Sequence, residues 1–146
     1  MKVPGLEFFH IEEFVSKSVF KQFGEKSLWF IDPKVIQIAR FVRNRMGKPV
    51  NINTWKWREN GGFQYRGLRE QGVAIGAAFS QHRFGRGLDL DVVGMGVSEI
   101  MEDIQKQPKL YMEAGVTTVE DPKFTPTWVH FDCRPTNKKE ILWVKP

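Results

Sequence analysis

Between Asp32 and Gly47 the apolar residues Val35, Ile38, Val42 and Met46 recur at intervals of three and four, which gathers them into one stripe of an α-helix. Asp32 offers a carboxylate to the first free amides, Pro33 suits the first helical position, and Gly47 followed by Pro49 ends the run. Residues 8–23 predict a short amphipathic helix or two turns, with Phe14 and Phe20 toward the core, and residues 97–107 predict a helix with Ser98 near its start. Strands are predicted at 49–55, 87–93, 127–133 and 140–144, where apolar and polar residues tend to alternate. Residues 56–80 show no period and contain Gly61, Gly62, Gly67, Gly72 and Gly76; a loop that long in a compact domain is usually functional. Helices first, then strands with one helix among them, predict an α+β fold with a small antiparallel sheet flanked by helices.

Length and composition narrow this picture. A chain of 146 residues fits a single domain, 1–146, and the 41% hydrophobic and 27% charged content is that of an ordinary globular protein. No apolar run approaches the roughly 18–20 residues that cross a bilayer, and Met1 to His10 lacks the apolar stretch of a secretory signal. Synthesis in the cytoplasm without a signal peptide is therefore expected. The single cysteine, Cys133, excludes an internal disulfide and cysteine-rich metal sites, so any metal must be held by His and carboxylate. The net charge of +5 favours a polyanionic partner, either nucleic acid or an anionic cell envelope. Basic residues are scattered, with only Lys138 and Lys139 adjacent, and a nucleic-acid partner is not expected.

The candidate chemistry lies in two segments. In the first, His82 and Asp89 are separated by Gly85 and Gly87, which permit a tight reversal into a strand. Along that strand Asp89 and Asp91 share one face and Leu88 and Leu90 the other. In the second, Trp128, His130 and Asp132 alternate with Val129, Phe131 and Cys133. Two imidazoles and one carboxylate can hold zinc with a position left open for water. By residue type alone, the same Asp–His pairs also serve as structural hydrogen bonds.

The paired pattern Ser80-x-His82-x-x-Gly85-x-Gly87-x-Asp89 and Trp128-x-His130-x-Asp132 resembles the zinc D-Ala-D-Ala carboxypeptidase family, which includes phage endolysin peptidases and is similar in its zinc core to the Hedgehog signalling domain. The resemblance runs from about residue 10 to the end, with Gly87 where the family usually has Ala. It implies a Hedgehog-like or D-Ala-D-Ala-peptidase-like fold, with Zn2+ held by His82, Asp89 and His130. Manganese or cobalt would also suit such a set. It further implies an arginine that binds substrate and stabilises the oxyanion, Arg69 first and Arg66 second, with Ser80 and Trp128 at the substrate. Tyr65, Trp55 and Trp57 either line a groove or belong to the core. The family's usual general base, a Glu three residues before the distal His, is replaced by Thr127. Glu120, Asp121 and Asp132 are the candidates for that role, Glu120 foremost, while Asp132 and Asp91 can instead orient neighbouring groups. The implied function is zinc-dependent cleavage of bacterial peptidoglycan peptides, as carboxypeptidase or endopeptidase, by a monomer released through a holin or carried in a virion. A zinc-binding module without catalysis is the alternative that Thr127 suggests.

Overall fold

The computed structural model describes residues 6–146, so the first half of the Met1–His10 segment lies outside the described residues. The α-helices are α1 (Lys17–Phe23), α2 (Pro33–Met46), α3 (Val97–Lys106) and α4 (Pro108–Glu113). The strands are β1 (Val50–Asn51), β2 (Gly87–Val92), β3 (Thr118–Glu120), β4 (Val129–Asp132) and β5 (Leu142–Val144). They form one sheet in the order β1-β2-β4-β3-β5. The first three pairings are antiparallel and β3–β5 is parallel, so the expected antiparallel sheet carries a parallel edge. No helix of the described residues is long and apolar enough to cross a membrane.

Helix α2 forms where its stripe and caps place it. Asp32 accepts a hydrogen bond from the Lys34 amide at 2.9 Å, and Gly47 closes the helix in the left-handed conformation at φ 64°. The buried stripe is wider than predicted, because Ile36 and Ala39 join Val35, Ile38 and Val42. It packs on β1 and β2. Tyr111 of α4 stacks on Phe131 of β4 and meets Phe41 of α2 edge-on. Since side chains alternate along a strand, Leu88, Leu90 and Phe131 take the face these helices cover. Asp89 and His130 take the other, toward residues 66–69 of the long loop.

Two expectations change. Residues 8–23 divide into a 3-10 turn at Ile11–Glu13 and α1, with Phe14 fully buried between them and Phe20 only partly. The strand expected over 49–55 is two residues long. Beyond it Asn53 is buried, its side chain donating to the Val15 carbonyl and accepting from the Arg66 amide, which draws the chain off the sheet. Ser98 lies in the first turn of α3, as expected, and Gly96 precedes the helix, its amide donating to the Glu99 carboxylate at 2.7 Å. Both α4 and β3 lie in a stretch with no sequence-based assignment. Pro108 cannot continue α3 but suits the start of a helix, so α4 begins there.

Helix α2 is joined to α3 by a bidentate pair, Arg45 Nε and Nη2 donating to Asp103 at 2.6 and 2.8 Å, and Tyr111 also donates to Asp103. The hydrogen bond from Arg45 is the main reason the Asp103 carboxyl titrates below its ordinary range. A depressed carboxylate stabilises the fold above its unfolded pKa and loses that contribution as pH falls through its folded value. Replacing Arg45 by Met is expected to lower unfolding free energy by about 1 kcal/mol or less at pH 7, the range of a partly exposed pair. The difference should shrink as pH drops below about 4. Urea unfolding of both proteins across that range checks it; a difference independent of pH would assign the effect to the arginine's alkyl chain.

Candidate metal centre

The first segment folds as a 3-10 turn, Gln81–Phe84, entered through Ser80, whose hydroxyl accepts from the His82 amide at 3.4 Å. Gly85 ends the turn at φ 67°, and a Cβ there would lie 1.9 Å from the Phe30 carbonyl oxygen. Both facts require glycine. A Cβ on Gly87 would come within 2.8 Å of the His82 amide nitrogen and 3.1 Å of its ring. An alanine here would therefore force the His82 turn to shift. From Gly87 the chain runs into β2, whose register sets Asp89 opposite His130 of β4.

The three residues expected to hold a metal are buried together. His82 Nε2 lies 3.2 Å from His130 Nδ1 and 3.2 Å from Asp89 Oδ1, and His130 Nδ1 lies 2.8 Å from Asp89 Oδ1. Tetrahedral zinc with bonds near 2.0–2.1 Å spreads its donors roughly 3.4 Å apart, close to this triangle. The outer nitrogens show what the inner ones offer. His82 Nδ1 lies 2.8 Å from the Gly67 carbonyl oxygen, which only accepts, so Nδ1 carries a hydrogen. His130 Nε2 donates to Asp132 at 3.0 Å. With both outer nitrogens donating, neutral imidazoles turn two lone pairs and a carboxylate oxygen toward one point. A cation must sit among them, either a metal ion or a proton on an imidazole.

Electrostatics agree. Burial raises the Asp89 carboxyl, but the charge of His82 and hydrogen bonds from both imidazoles outweigh it and hold Asp89 well below the carboxylate range. Burial lowers His130, and the flanking carboxylates Asp132 and Asp89 more than offset it, bringing the imidazole to about 9. Burial raises Glu120, whose Oε1 lies 3.9 Å from His130 Nδ1.

The other candidates separate by position. Glu120, at the end of β3, lines a cavity of about 460 Å³ together with His82, Asp89 and His130. Asp121 turns away and accepts from the Lys123 amide at 2.9 Å. Asp132 lies behind the His130 ring, where it also binds Arg134 through Nε and Nη2; it orients His130 and does not face the convergent atoms. Arg69 lines the cavity, with Nη2 donating to Asp89 Oδ2 at 3.2 Å and Nε to the Tyr65 carbonyl. Arg66 binds Asp91 and lies over the Phe63 ring. Ser80, Trp128 and Tyr65 line cavities beside the site. Trp55 serves the framework, donating to the Val15 carbonyl, and Trp57 is half exposed beside His10. The sequence pattern missed the Gly67 carbonyl, which no side chain announces, and the role of Arg83. Arg83 donates to the Val73 and Ala77 carbonyls and so fastens the loop carrying Ile75 to the wall of the cavity.

No family model, curated protein or solved structure matches the chain.

Replacing His82 by Ala removes one of three donors, and bound zinc measured by elemental analysis is expected to fall from stoichiometric to near zero. Retention of full occupancy would sink this donor set. Replacing Gly67 by Ala places a Cβ 2.2 Å from the Phe14 carbonyl oxygen, so the loop must shift and take its own carbonyl from His82. The expected cost is about 1–3 kcal/mol of stability, with a loss of roughly ten- to hundredfold in zinc affinity. Thermal unfolding and competition with a chelator measure the two effects.

Proposed function

We propose that the chain is a zinc-dependent peptidase that hydrolyses an amide bond in bacterial peptidoglycan peptides, with a zinc core of the Hedgehog and D-Ala-D-Ala-peptidase kind. The observation that carries the reading is the convergence of His82 Nε2, Asp89 Oδ1 and His130 Nδ1 on the floor of a cavity that also holds Glu120 and Arg69. These three atoms would hold the ion. When bound, zinc supplies Lewis acidity, which makes water a nucleophile near neutral pH and polarises a substrate carbonyl.

The remaining work falls to side chains of the chain itself. Glu120 stands on β3, beside β4, and fills the need that Thr127 leaves unmet. Its burial makes its carboxylate a stronger base, suited to take a proton from the attacking water and pass it to the departing amine nitrogen. Arg69 sets a guanidinium on the cavity wall beside Asp89, where negative charge growing on the substrate oxygen is stabilised. Arg134 holds Asp132, and Asp132 holds the His130 ring with Nδ1 turned inward. The net charge of +5 suits the anionic cell wall.

A digest of purified peptidoglycan with zinc-loaded protein, beside a chelator-treated control, tests the reading by mass spectrometry. New zinc-dependent peptide fragments are expected; none, with zinc stoichiometrically bound, would favour the non-catalytic module. Replacing Glu120 by Gln is expected to keep the zinc and lower turnover about a hundredfold or more, the loss typical of a missing general base. Unchanged turnover would remove Glu120 from that role.

A further inference from the structure

Away from the metal cavity, three aromatic side chains stand in water together. Trp29 is 74% exposed, Phe84 51% and Phe30 40%, and all three line one open depression of about 480 Å³ with Asp32 and Arg86. Phe23, also exposed, meets Phe30 edge-on at 4.8 Å and extends the same surface. Single exposed apolar residues are ordinary, but a contiguous group marks a surface that something else covers.

The charges around the rings indicate what that is. Lys26 Nζ lies 5.6 Å from the centre of the Trp29 ring, and the Arg86 guanidinium lies 5.2 Å from that of Phe84. Among the described residues Arg86 Nε has no hydrogen-bond partner, and Asp32 adds a carboxylate to the same lining. An apolar protein surface laid here would have to strip water from charges of both signs without replacing it. A polyanion would meet the Asp32 carboxylate. A neutral sugar chain suits every group: the C–H face of a sugar ring stacks on an aromatic ring, while hydroxyl and acetamido groups both donate and accept, and so satisfy Asp32 and Arg86 alike.

The place is also suitable. The Gln81–Phe84 turn has one end at each site, since Gln81 and His82 line the metal cavity and Phe84 lines the depression. The Asp32 amide ties the two further by donating to the Gly85 carbonyl at 2.9 Å. A polymer resting on Trp29 and Phe84 would therefore bring peptides attached to it to the neighbourhood of the metal centre.

We infer that the depression at Trp29, Phe30 and Phe84 binds the glycan of the cell wall, a chain of N-acetylated amino sugars, and so holds the protein on the polymer whose peptides it cuts. The choice of a wall glycan rests on the peptidase reading above. Its test titrates a soluble N-acetylglucosamine hexamer into the zinc-loaded protein and follows the tryptophan indole signals by NMR. A saturable shift of the Trp29 signal is expected. Trp29→Ala is expected to weaken the hexamer about tenfold or more, as truncation of an aromatic anchor does, with zinc content and unfolding temperature unchanged. Trp57→Ala, which removes a half-exposed ring that does not line the depression, is expected to leave the affinity within about twofold. No saturable shift at millimolar hexamer, or an equal loss in both variants, overturns the inference. Tighter, salt-sensitive binding of oligothymidylate to the same residues would assign the surface to polyanions and overturn it as well. So would a dimer seen by sedimentation without ligand and lost in Trp29→Ala, which would assign the surface to a second copy of the chain. The digest of purified peptidoglycan separates this inference from the peptidase reading. Hexamer binding without zinc-dependent cleavage upholds the glycan site and defeats the peptidase; cleavage without hexamer binding does the reverse.

Discussion

Three electron-pair donors aimed at one buried point repel one another unless something positive sits between them. His82 Nε2, Asp89 Oδ1 and His130 Nδ1 are held 2.8–3.2 Å apart at positions almost closed to solvent. The side chains cannot swing away, because each imidazole is anchored by its outer nitrogen. The framework around the triangle exists in a form that keeps this demand in place, and a cation is what answers it.

The anchors come from distant parts of the chain. The Gly67 carbonyl reaches His82 because Gly67 lies flush against the Phe14 backbone, where no Cβ fits, and because Leu68 donates to the Phe14 carbonyl at 2.8 Å. The His82 turn is tied to the entrance of α2, since the Asp32 amide donates to the Gly85 carbonyl at 2.9 Å. Asp32 thus caps the longest helix with its side chain and steadies the site with its backbone. Core packing on one face of the sheet and donor geometry on the other are fixed by the same strands, and that is how apolar burial is converted into the precision a metal site requires.

Charge is arranged in pairs around the site. Arg134 neutralises Asp132, Arg66 neutralises Asp91, and Arg69 stands against Asp89. Among the described residues, Glu120 is left as a side-chain carboxylate in the cavity with no arginine bonded to it. A carboxyl that is half buried and without a bonded cation is the one whose affinity for a proton rises, and it is also the one with room to exchange that proton.

Sequence alone determined those features whose causes lie within a few residues. The stripe and caps of α2 and the alternation that makes β2 and β4 are local in origin, and the paired motif, through the resemblance it carries, singled out His82, Asp89 and His130. The tertiary structure decided what depends on distant neighbours. β3 is three residues long, too short to show a period, yet its place beside β4 brings Glu120 to the cavity and leaves Asp121 outside it. Asp132 and His130 share a strand face, but only the orientation of the ring shows that Asp132 lies behind it. Arg66 and Arg69 are three residues apart in one loop, and only their partners tell them apart. The strand expected at 49–55 is cut short by hydrogen bonds from Asn53 to residues far along the chain. A period in the sequence records which face of an element is buried; which groups meet across that face is set by the register and packing of other elements, and no local pattern carries that information.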